Sequence, residues 1–564
     1  MASTEEQSNV NDVMVAPASG ETQQLLKNQS QKSIEESDEE NKMFWQKISI
    51  YQVYTLIIFL ITYLLNQLDR YMLAITIKPM SQELKFGDMD CMLLSNYSSN
   101  DAISDGAKCE DAKDTKSCFA KTYGNGSEAI NPCKWDYNGQ GFEYQIVAGP
   151  VFIVIYTFAG IFISFAADKY NRKVMLGACL ILWSVMTLLT GFIKEYWQLV
   201  LLRFGLGFGE AGCTPFVASM LTDIYPTELR GTALGIYNWG IYMGYSLSYA
   251  LGNLITAANI NGQGWRWSFF ISGIPGILMG LLIFVTVKEP ERKNASMQSE
   301  QKDTQSEQPK ASVCQRLGTI LKPFLAPSLM LAILAGSVRN AAGYVFAYNT
   351  QPYFTGIGQT KEDIAKYMGW IPIVGGSLGV AVGGFISDRV VKGRGIYARV
   401  VVVIFSLLVA APFAAGTLFL SPPWAYICQI PTYLFGEMWI GITLAIVVEM
   451  IPSNIRTSAV AVYLFIISNI GGNMPLLVPP IQQAFENGGY TKSQSLRGAL
   501  YILYPGLYVA GAVLFIPAMF LLKRDQKRMQ FMEYVNMQDS SKALGKMPGE
   551  ANPAYQDSEK PPTN

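Results

Sequence analysis

Phe208-Gly209-Glu210, followed by Leu221-Thr-Asp-Ile-Tyr-Pro226-Thr-Glu-Leu-Arg230-Gly-Thr-Ala, is a phrase this chain uses twice. The second copy is Phe435-Gly436-Glu437, followed by Val447-Val-Glu-Met-Ile-Pro452-Ser-Asn-Ile-Arg456-Thr-Ser-Ala. The copies fall in opposite halves of the chain, and each ends an apolar stretch with one glutamate in its middle. Two related membrane halves with ionisable groups at matching depth are the layout of a secondary transporter, whose site lies between the halves near the midplane.

Composition agrees with a membrane protein. Half of the 564 residues are hydrophobic, 15% are charged and the formal net charge is +0, which argues against a nucleic-acid partner. Apolar stretches of bilayer-spanning length, roughly 20 residues, fall at 52–78, 145–167, 173–193, 197–222, 230–257 and 267–288. They resume at 324–352, 365–387, 397–420, 423–451, 456–483 and 498–522. The expected fold is therefore an all-α integral membrane protein with twelve transmembrane helices in two pseudo-symmetric six-helix bundles, 49–288 and 323–522. A polar linker, 289–322, joins them on the cytosolic side. Residues 1–48 and 523–564 read as disordered cytosolic tails, and the polar, acidic-to-mixed N-terminal stretch is not a cleavable signal peptide.

Lysine and arginine set the orientation. Lys169, Arg172, Lys173, Arg389, Lys392, Arg394, Lys523 and Arg524 share one side with the linker, which is then cytosolic. Loop 79–142 consequently faces the lumen or the exterior. It holds Cys91, Cys109, Cys118 and Cys133, half of the cysteines in the chain. An oxidising compartment favours two disulfides among them, in any of three connectivities. Asn96 and Asn125 head glycosylation sequons on the same loop, whereas the Asn294 sequon lies on the cytosolic side.

The loop Ser164-Phe-Ala-Ala-Asp168-Lys169-Tyr-Asn-Arg172-Lys173 and its counterpart Gly384-Phe-Ile-Ser-Asp388-Arg389 resemble the G-x-x-x-D-[RK]-x-G-[RK]-[RK] loop of the major facilitator superfamily. Span 4 carries Arg203-x-x-x-Gly207-x-Gly209-x-Ala211, which is similar to that family's second signature. Ser164 and Asn171 stand where the family has glycine, and the second copy loses the pattern after Arg389. Asn66-x-x-Asp69-Arg70-Tyr71, Gly209-Glu210-Ala211-Gly212 and Asp223-x-x-Pro226-x-x-x-Arg230-Gly231 resemble the spinster branch, which carries sphingolipids and lysophospholipids. The long cysteine-bearing loop departs from that branch. The resemblance implies the major facilitator fold, alternating access, no cofactor, and a site that includes Asp69, Arg70 and Glu210.

Charges at bilayer depth are costly and are functional candidates by default. Asp69, Arg70, Arg203, Glu210, Arg339 and Glu437 qualify. The chain has no histidine, so proton coupling must run on carboxylates. At about 1.5 Å of rise per residue, depth alone matches Asp69 with Arg203 and Arg339 with Glu437. Asp69 and Glu210 are the expected protonatable pair, with Arg70 and Arg203 as modulators or anion ligands. The competing reading is static ion pairs that fix helix packing. Asp168, Arg172, Arg230, Asp388, Arg389 and Arg456 form, by the resemblance, a cytosolic gate that latches the halves. For Arg389 and Lys392 a plain topological role serves equally well.

Gly231/Gly235, Gly240/Gly244 and Gly379/Gly383 allow close helix contact. Gly471-Gly472, Pro475 and Pro479-Pro480 are candidate bends. Tyr344, Phe346, Tyr348, Trp439, Tyr463 and Phe465 could wall a lipid tail or simply pack. Glu21-Thr-Gln-Gln-Leu25-Leu26 and Tyr534-Val-Asn-Met537 match short sorting signals for adaptors, which makes a lysosomal or late-endosomal membrane the leading location and the plasma membrane the second. With no histidine and no clustered membrane cysteines, neither a metal site nor an enzyme's nucleophile–base set is expected. The alternatives are a carrier of a small organic anion, held by Arg70, Arg203 and Arg339, or a non-transporting sensor on the same fold.

Overall fold

The structure is a computed structural model that describes residues 49–93, 109, 112, 114–119, 133–290, 318, 321–391, 394–451 and 456–543. The chain divides into two compact units, Met1–Thr55 and Leu56–Asn564. In the first, Ser49 starts the opening helix: its hydroxyl accepts from Tyr51 and its own N–H donates to the Gln52 side chain at 2.9 Å. Such a reciprocal cap satisfies donors that a helix start leaves free.

The opening helix α1 (Ile50–Leu84) leads into a small cap. Strand β1 (Met89–Leu93), helix α2 (Thr115–Phe119) and strand β2 (Cys133–Tyr137) build it, with the strands antiparallel from Met89↔Tyr137 to Leu93↔Cys133. The expected two disulfides form as Cys91–Cys118 and Cys109–Cys133. They are needed because the cap's own core is little more than these cysteines, Ala112 and Trp135. So small a core cannot offset chain entropy, and each crosslink supplies roughly 3 kcal/mol. Asn96 and Asn125 lie outside the described residues.

The rest of the first half is helical: α3 (Phe142–Ala148), α4 (Pro150–Lys169), α5 (Arg172–Thr190), α6 (Tyr196–Glu210), α7 (Cys213–Ile224), α8 (Thr227–Ala258) and α9 (Gly264–Thr286). The second half begins with α10 (Pro327–Gly356), α11 (Lys361–Met368), α12 (Ile371–Val391), α13 (Tyr397–Phe419), α14 (Trp424–Ile427) and α15 (Gln429–Gly436). It ends with α16 (Trp439–Met450), α17 (Arg456–Asn473), α18 (Val478–Asn487), α19 (Lys492–Leu503) and α20 (Pro505–Ala543).

Ten stretches among the described residues are long and apolar enough to cross a membrane. Two of the expected spans are not among them. Span 197–222, broken at Ala211-Gly212 between α6 and α7, carries Arg203 and Glu210 in its middle, and these lower its mean hydropathy. Span 230–257 lies on the long helix α8, whose apolar character is diluted by inward Tyr242, Tyr245, Ser246, Ser248 and Asn253. The repeated phrase breaks its helix in both copies, since α15 stops beside Glu437 as α6 stops beside Glu210.

Several expectations meet the structure here. The stretch 523–543, placed in a disordered tail, continues α20. The bend in span 11 is present: α17 ends at Asn473 and a 3-10 turn, Met474–Leu477, precedes α18. Gly240 and Gly244 let α8 lie directly on α1, where an added Cβ would meet the Leu60 and Leu64 carbonyls at 3.1 and 2.3 Å. Gly379 and Gly383 do the same for α12 against α15 and Met438, whereas Gly235 faces open space. Side-chain geometry at Gly231, Tyr534 and Met537, and all of Leu25-Leu26 and Lys392, lies outside the described residues.

Within each half, neighbouring helices pack closely, as in α5 with α9 and α10 with α20. Contact between halves runs through α4 with α17 and through α8 with α11 and α12. A cavity remains between these two seams.

Candidate functional site

That cavity, about 200 Å³, is lined from the first half by Tyr63, Gln67, Arg70, Tyr71, Tyr242 and Tyr245. From the second half Arg339, Tyr344, Glu437, Trp439, Tyr504 and Tyr508 complete it. Its wall is aromatic, with tyrosine hydroxyls as the polar points and one guanidinium on each side.

The two arginines are mounted alike. Arg70 Nε and Nη2 both donate to Glu210 Oε2, at 3.0 and 2.8 Å, and its guanidinium lies 4.7 Å over each of the Phe152 and Tyr156 rings. Arg339 Nε and Nη2 donate to the Gly436 carbonyl at 3.0 and 2.7 Å, and Nη2 also reaches Glu437 Oε1 at 2.9 Å. Tyr508 and Trp439 face this guanidinium at 4.5 and 5.4 Å. An arginine fork between an aromatic face and a carboxylate is held in one orientation, which a lysine would not be.

Gly436 makes the second mount possible. A Cβ there would lie 2.7 Å from the Tyr508 hydroxyl, so only glycine lets Tyr508 approach the arginine. Tyr242, from the first half, reaches Glu437 Oε2 at 3.5 Å and sits where a Cβ on Gly376 would clash.

The Arg339–Glu437 pair expected from depth is present. The Asp69–Arg203 pair is not. Arg70 takes Glu210, while Arg203 Nη1 donates to the Arg70 carbonyl at 3.3 Å and its Nη2 has no partner. Consecutive residues on a helix point about 100° apart, so Asp69 and Arg70 share a depth but not a direction. Asp69 is not among the residues that line the cavity; Ser272 and Thr187 are its hydroxyl neighbours, and the Arg203 and Glu210 charges act on it. It is 1% exposed, and neither oxygen makes a well-formed hydrogen bond, although the Ser272 and Thr187 hydroxyls lie close by. Glu210 Oε1 is unpartnered as well.

The expected gate residues do not reach across the halves among the described residues. Arg172 binds Asp223 at 2.6 Å and Glu289 at 2.8 Å, and also donates to Ser219. Asp388 binds Arg399 at 2.7 Å, and Arg399 binds Glu449 at 2.6 Å. Arg230 donates to the Tyr225 carbonyl, and Arg389 is exposed beside the Phe385 ring. The side chains of Asp168 and Arg456 lie outside the described residues. Glu289, Arg399 and Glu449 are not singled out in the sequence, and Asp223 only as part of a motif with no partner assigned. A signal was available: Asp223 and Glu449 stand at the same place in the two copies of the repeated phrase.

At the capped end the halves do meet. Tyr144 donates to the Tyr348 carbonyl, Gln145 to Asn349 at 2.9 Å, and Asn253 and Gln351 exchange hydrogen bonds at 3.0 and 2.8 Å. Of the six aromatics considered for a tail wall, Tyr344, Phe346 and Trp439 line the cavity. Tyr348 is buried in the closed layer, Tyr463 pairs with Thr443 and Phe465 packs on Phe158.

The sequence profile of the Major Facilitator Superfamily matches residues 59–474. The chain is 28% identical over 345 residues to Protein spinster of Drosophila melanogaster, covering 59% of this chain and 55% of that one. It thus spans about half of that relative's length. It is 26% identical to Protein spinster homolog 1 of Xenopus tropicalis, over 71% of this chain and 77% of that one. Among solved structures, a bacterial homolog of the human lysosomal transporter Spinster, inward-facing and occupied, superposes with a TM-score of 0.60. Its identity is 20%, with coverage of 85% of this chain and 98% of that one.

Proposed function

Since the chain belongs to the major facilitator superfamily and is a multi-pass secondary transporter rather than an enzyme, we propose that it is a twelve-helix, proton-coupled carrier of a lysophospholipid or sphingolipid-type molecule. Helices α6 with α7, and α8, supply the two spans beyond the ten apolar ones. Residues 49–288 and 323–522 form the two bundles, 289–322 is the cytosolic linker, and the cap lies in the lumen. The membrane is lysosomal or late-endosomal, in line with the spinster relatives and the Leu25-Leu26 signal.

One observation carries this reading. Two arginines, each held by a glutamate and aromatic rings at matching places in the halves, face one aromatic cavity. In the proposed cycle, Asp69 and Glu210 carry the proton. A proton on Glu210 releases Arg70, which then takes the anionic headgroup, with Arg339 opposite and the tyrosine and tryptophan rings along the first part of the tail. Arg203 bridges by holding the α1 backbone beside Arg70. Closure at the capped end, with the Arg172 and Arg399 clusters paired inside their own halves, supports a state open toward the cytosol. In the opposite state Asp168, Arg230, Asp388, Arg389 and Arg456 would join these clusters as the gate.

The cavity volume supports a second reading. About 200 Å³ is below the usual 300–1,000 Å³ of a site that encloses a whole drug-sized ligand. It suits a headgroup or a small organic anion. The deciding measurement is flux of labelled lysophospholipid, and of a small organic anion, into liposomes holding the purified protein, with and without a proton gradient. Gradient-driven lipid flux that drops at least about tenfold in Asp69→Asn and Glu210→Gln is the expected result. Anion flux alone would select the second reading, and neither flux would select a sensor.

A further inference from the structure

We propose that the disulfide-bonded cap is a clasp: carried by the first half of the chain, it grips the second half through Lys492 and must let go before the cavity opens on that side. This rests on the alternating-access reading above and assigns a role to a segment that reading leaves unused.

Lys492 is the contact. Its Nζ donates to the Met89 carbonyl at 2.8 Å, stands 3.2 Å from Asp90 Oδ1 and lies 5.8 Å from the Trp135 ring centre. Met89 and Asp90 are on β1, and Trp135 on β2 stands opposite Cys91. One lysine of the second half therefore reaches both strands of an antiparallel pair that belongs to the first. Beside it, Gln482 on α18 reaches Gln140 at 3.5 Å, and the Gln140 carbonyl accepts from Asp88 N–H at the root of the strand pair.

The position of Lys492 is unfavourable for its own helix. It is the first residue of α19, whose first turn has no acid, and a cation there opposes the helix dipole. The α19 start is fixed by the reciprocal Thr491–Gln494 cap, so the lysine is aimed rather than loose. Asp90 and the Met89 carbonyl supply from the cap the negative charge that the helix start lacks.

The clasp also sits where it can be felt. Its first-half end follows directly on α1, which bears Asp69 and Arg70. Its second-half end runs through α19 into α20, whose Tyr508 lies on Arg339. Two disulfides crosslink the segment that carries this strand pair, Cys91 and Cys133 lying on the strands themselves. Inside the clasp lies the closed layer of Tyr144, Gln145, Asn253, Asn349 and Gln351.

The test is a distance measurement across the mouth in the full-length protein in lipid nanodiscs. Genetically encoded spin-label residues at exposed Lys194 and Asn487 would report on the two halves without touching the native cysteines. Lys492→Met and Asp90→Asn should each raise the long-distance population about threefold, the size of a partly exposed ion pair. The exchange Lys492→Asp with Asp90→Lys should restore most of the short-distance population, and Gln482→Ala should act in the same direction more weakly. A wild-type distribution in all three single variants, with disulfides intact and the protein monodisperse, overturns the clasp. So does an equal shift from Lys361→Met, a lysine off the cap. Lipid flux measured on the same samples separates the two ideas: distances that shift while lipid flux is absent in wild type refute the lipid-carrier reading and leave the clasp standing.

Discussion

Arg339 illustrates how one side chain is specified by several neighbours at once. It is 1% exposed, yet three donated hydrogen bonds and two aromatic faces surround it. A buried charge survives only when paired and hydrogen-bonded, and the Gly436 carbonyl does as much of this as Glu437. Arg339→Lys keeps the charge but loses the planar fork. We expect purified Arg339→Lys to transport at least about tenfold more slowly than wild type, and to melt earlier by an amount equal to about 1–3 kcal/mol. Unchanged flux in a folded sample would show that the fork has no part in binding. The identities of these residues were legible in the sequence, because a charged residue in an apolar span attracts attention at once. Their partners were only half legible. Arg339 with Glu437 follows from depth, whereas the pairing of Arg70 with Glu210, in place of Asp69 with Arg203, depends on the rotation of α1, which depth does not contain.

Elements in this fold are shaped by where they must approach one another. Helices α6 and α15 both end at the Gly-Glu of the repeated phrase, and both glycines are pressed by a neighbour: Gly209 by Trp183 and Gly436 by Tyr508. Gly436→Ala puts a methyl group 2.7 Å from the Tyr508 hydroxyl, and overpacking of this kind costs about 1–3 kcal/mol. Gly441, five residues on in α16, faces open space, so Gly441→Ala should be neutral or slightly stabilising by helix propensity, within about 1 kcal/mol. Thermal unfolding of the two variants side by side checks this; equal destabilisation would mean that general helix effects, not the Tyr508 contact, dominate. The sequence pattern found these elements because an apolar run of bilayer length has few alternatives. The ten apolar spans leave out 197–222 and 230–257, because an inner helix can be broken or polar where it faces other protein instead of lipid.

At the scale of the whole molecule, the halves are joined at the capped end, and the charge there sets a pH response. Asp88 sits at the root of the strand pair, outside the apolar helices. Although the residue as a whole stays exposed, partial burial of its carboxyl raises it above the ordinary aspartate range, with Lys492 opposing this and Glu486, Glu143 and Asp90 adding to it. A group raised in the folded, closed arrangement contributes stability below its unfolded value and loses it as pH rises through the folded one. Acidification should therefore favour the closed mouth. As pH rises from about 4 through the acidic range, thermal stability of the wild type should fall more steeply than that of Asp88→Asn, and the opposite slope would overturn this. What the sequence by itself determined is the membrane class, the doubled organisation, the superfamily and the set of buried charges, since hydropathy and repetition are local properties written along the chain. Only the tertiary structure decided the Cys91–Cys118 and Cys109–Cys133 pairing, the Arg70–Glu210 pair, the Arg172 and Arg399 ion-pair clusters, and the Lys492 contact. Each of these joins residues distant in the chain, through the rotation and close approach of packed elements, and neither quantity is encoded in spacing.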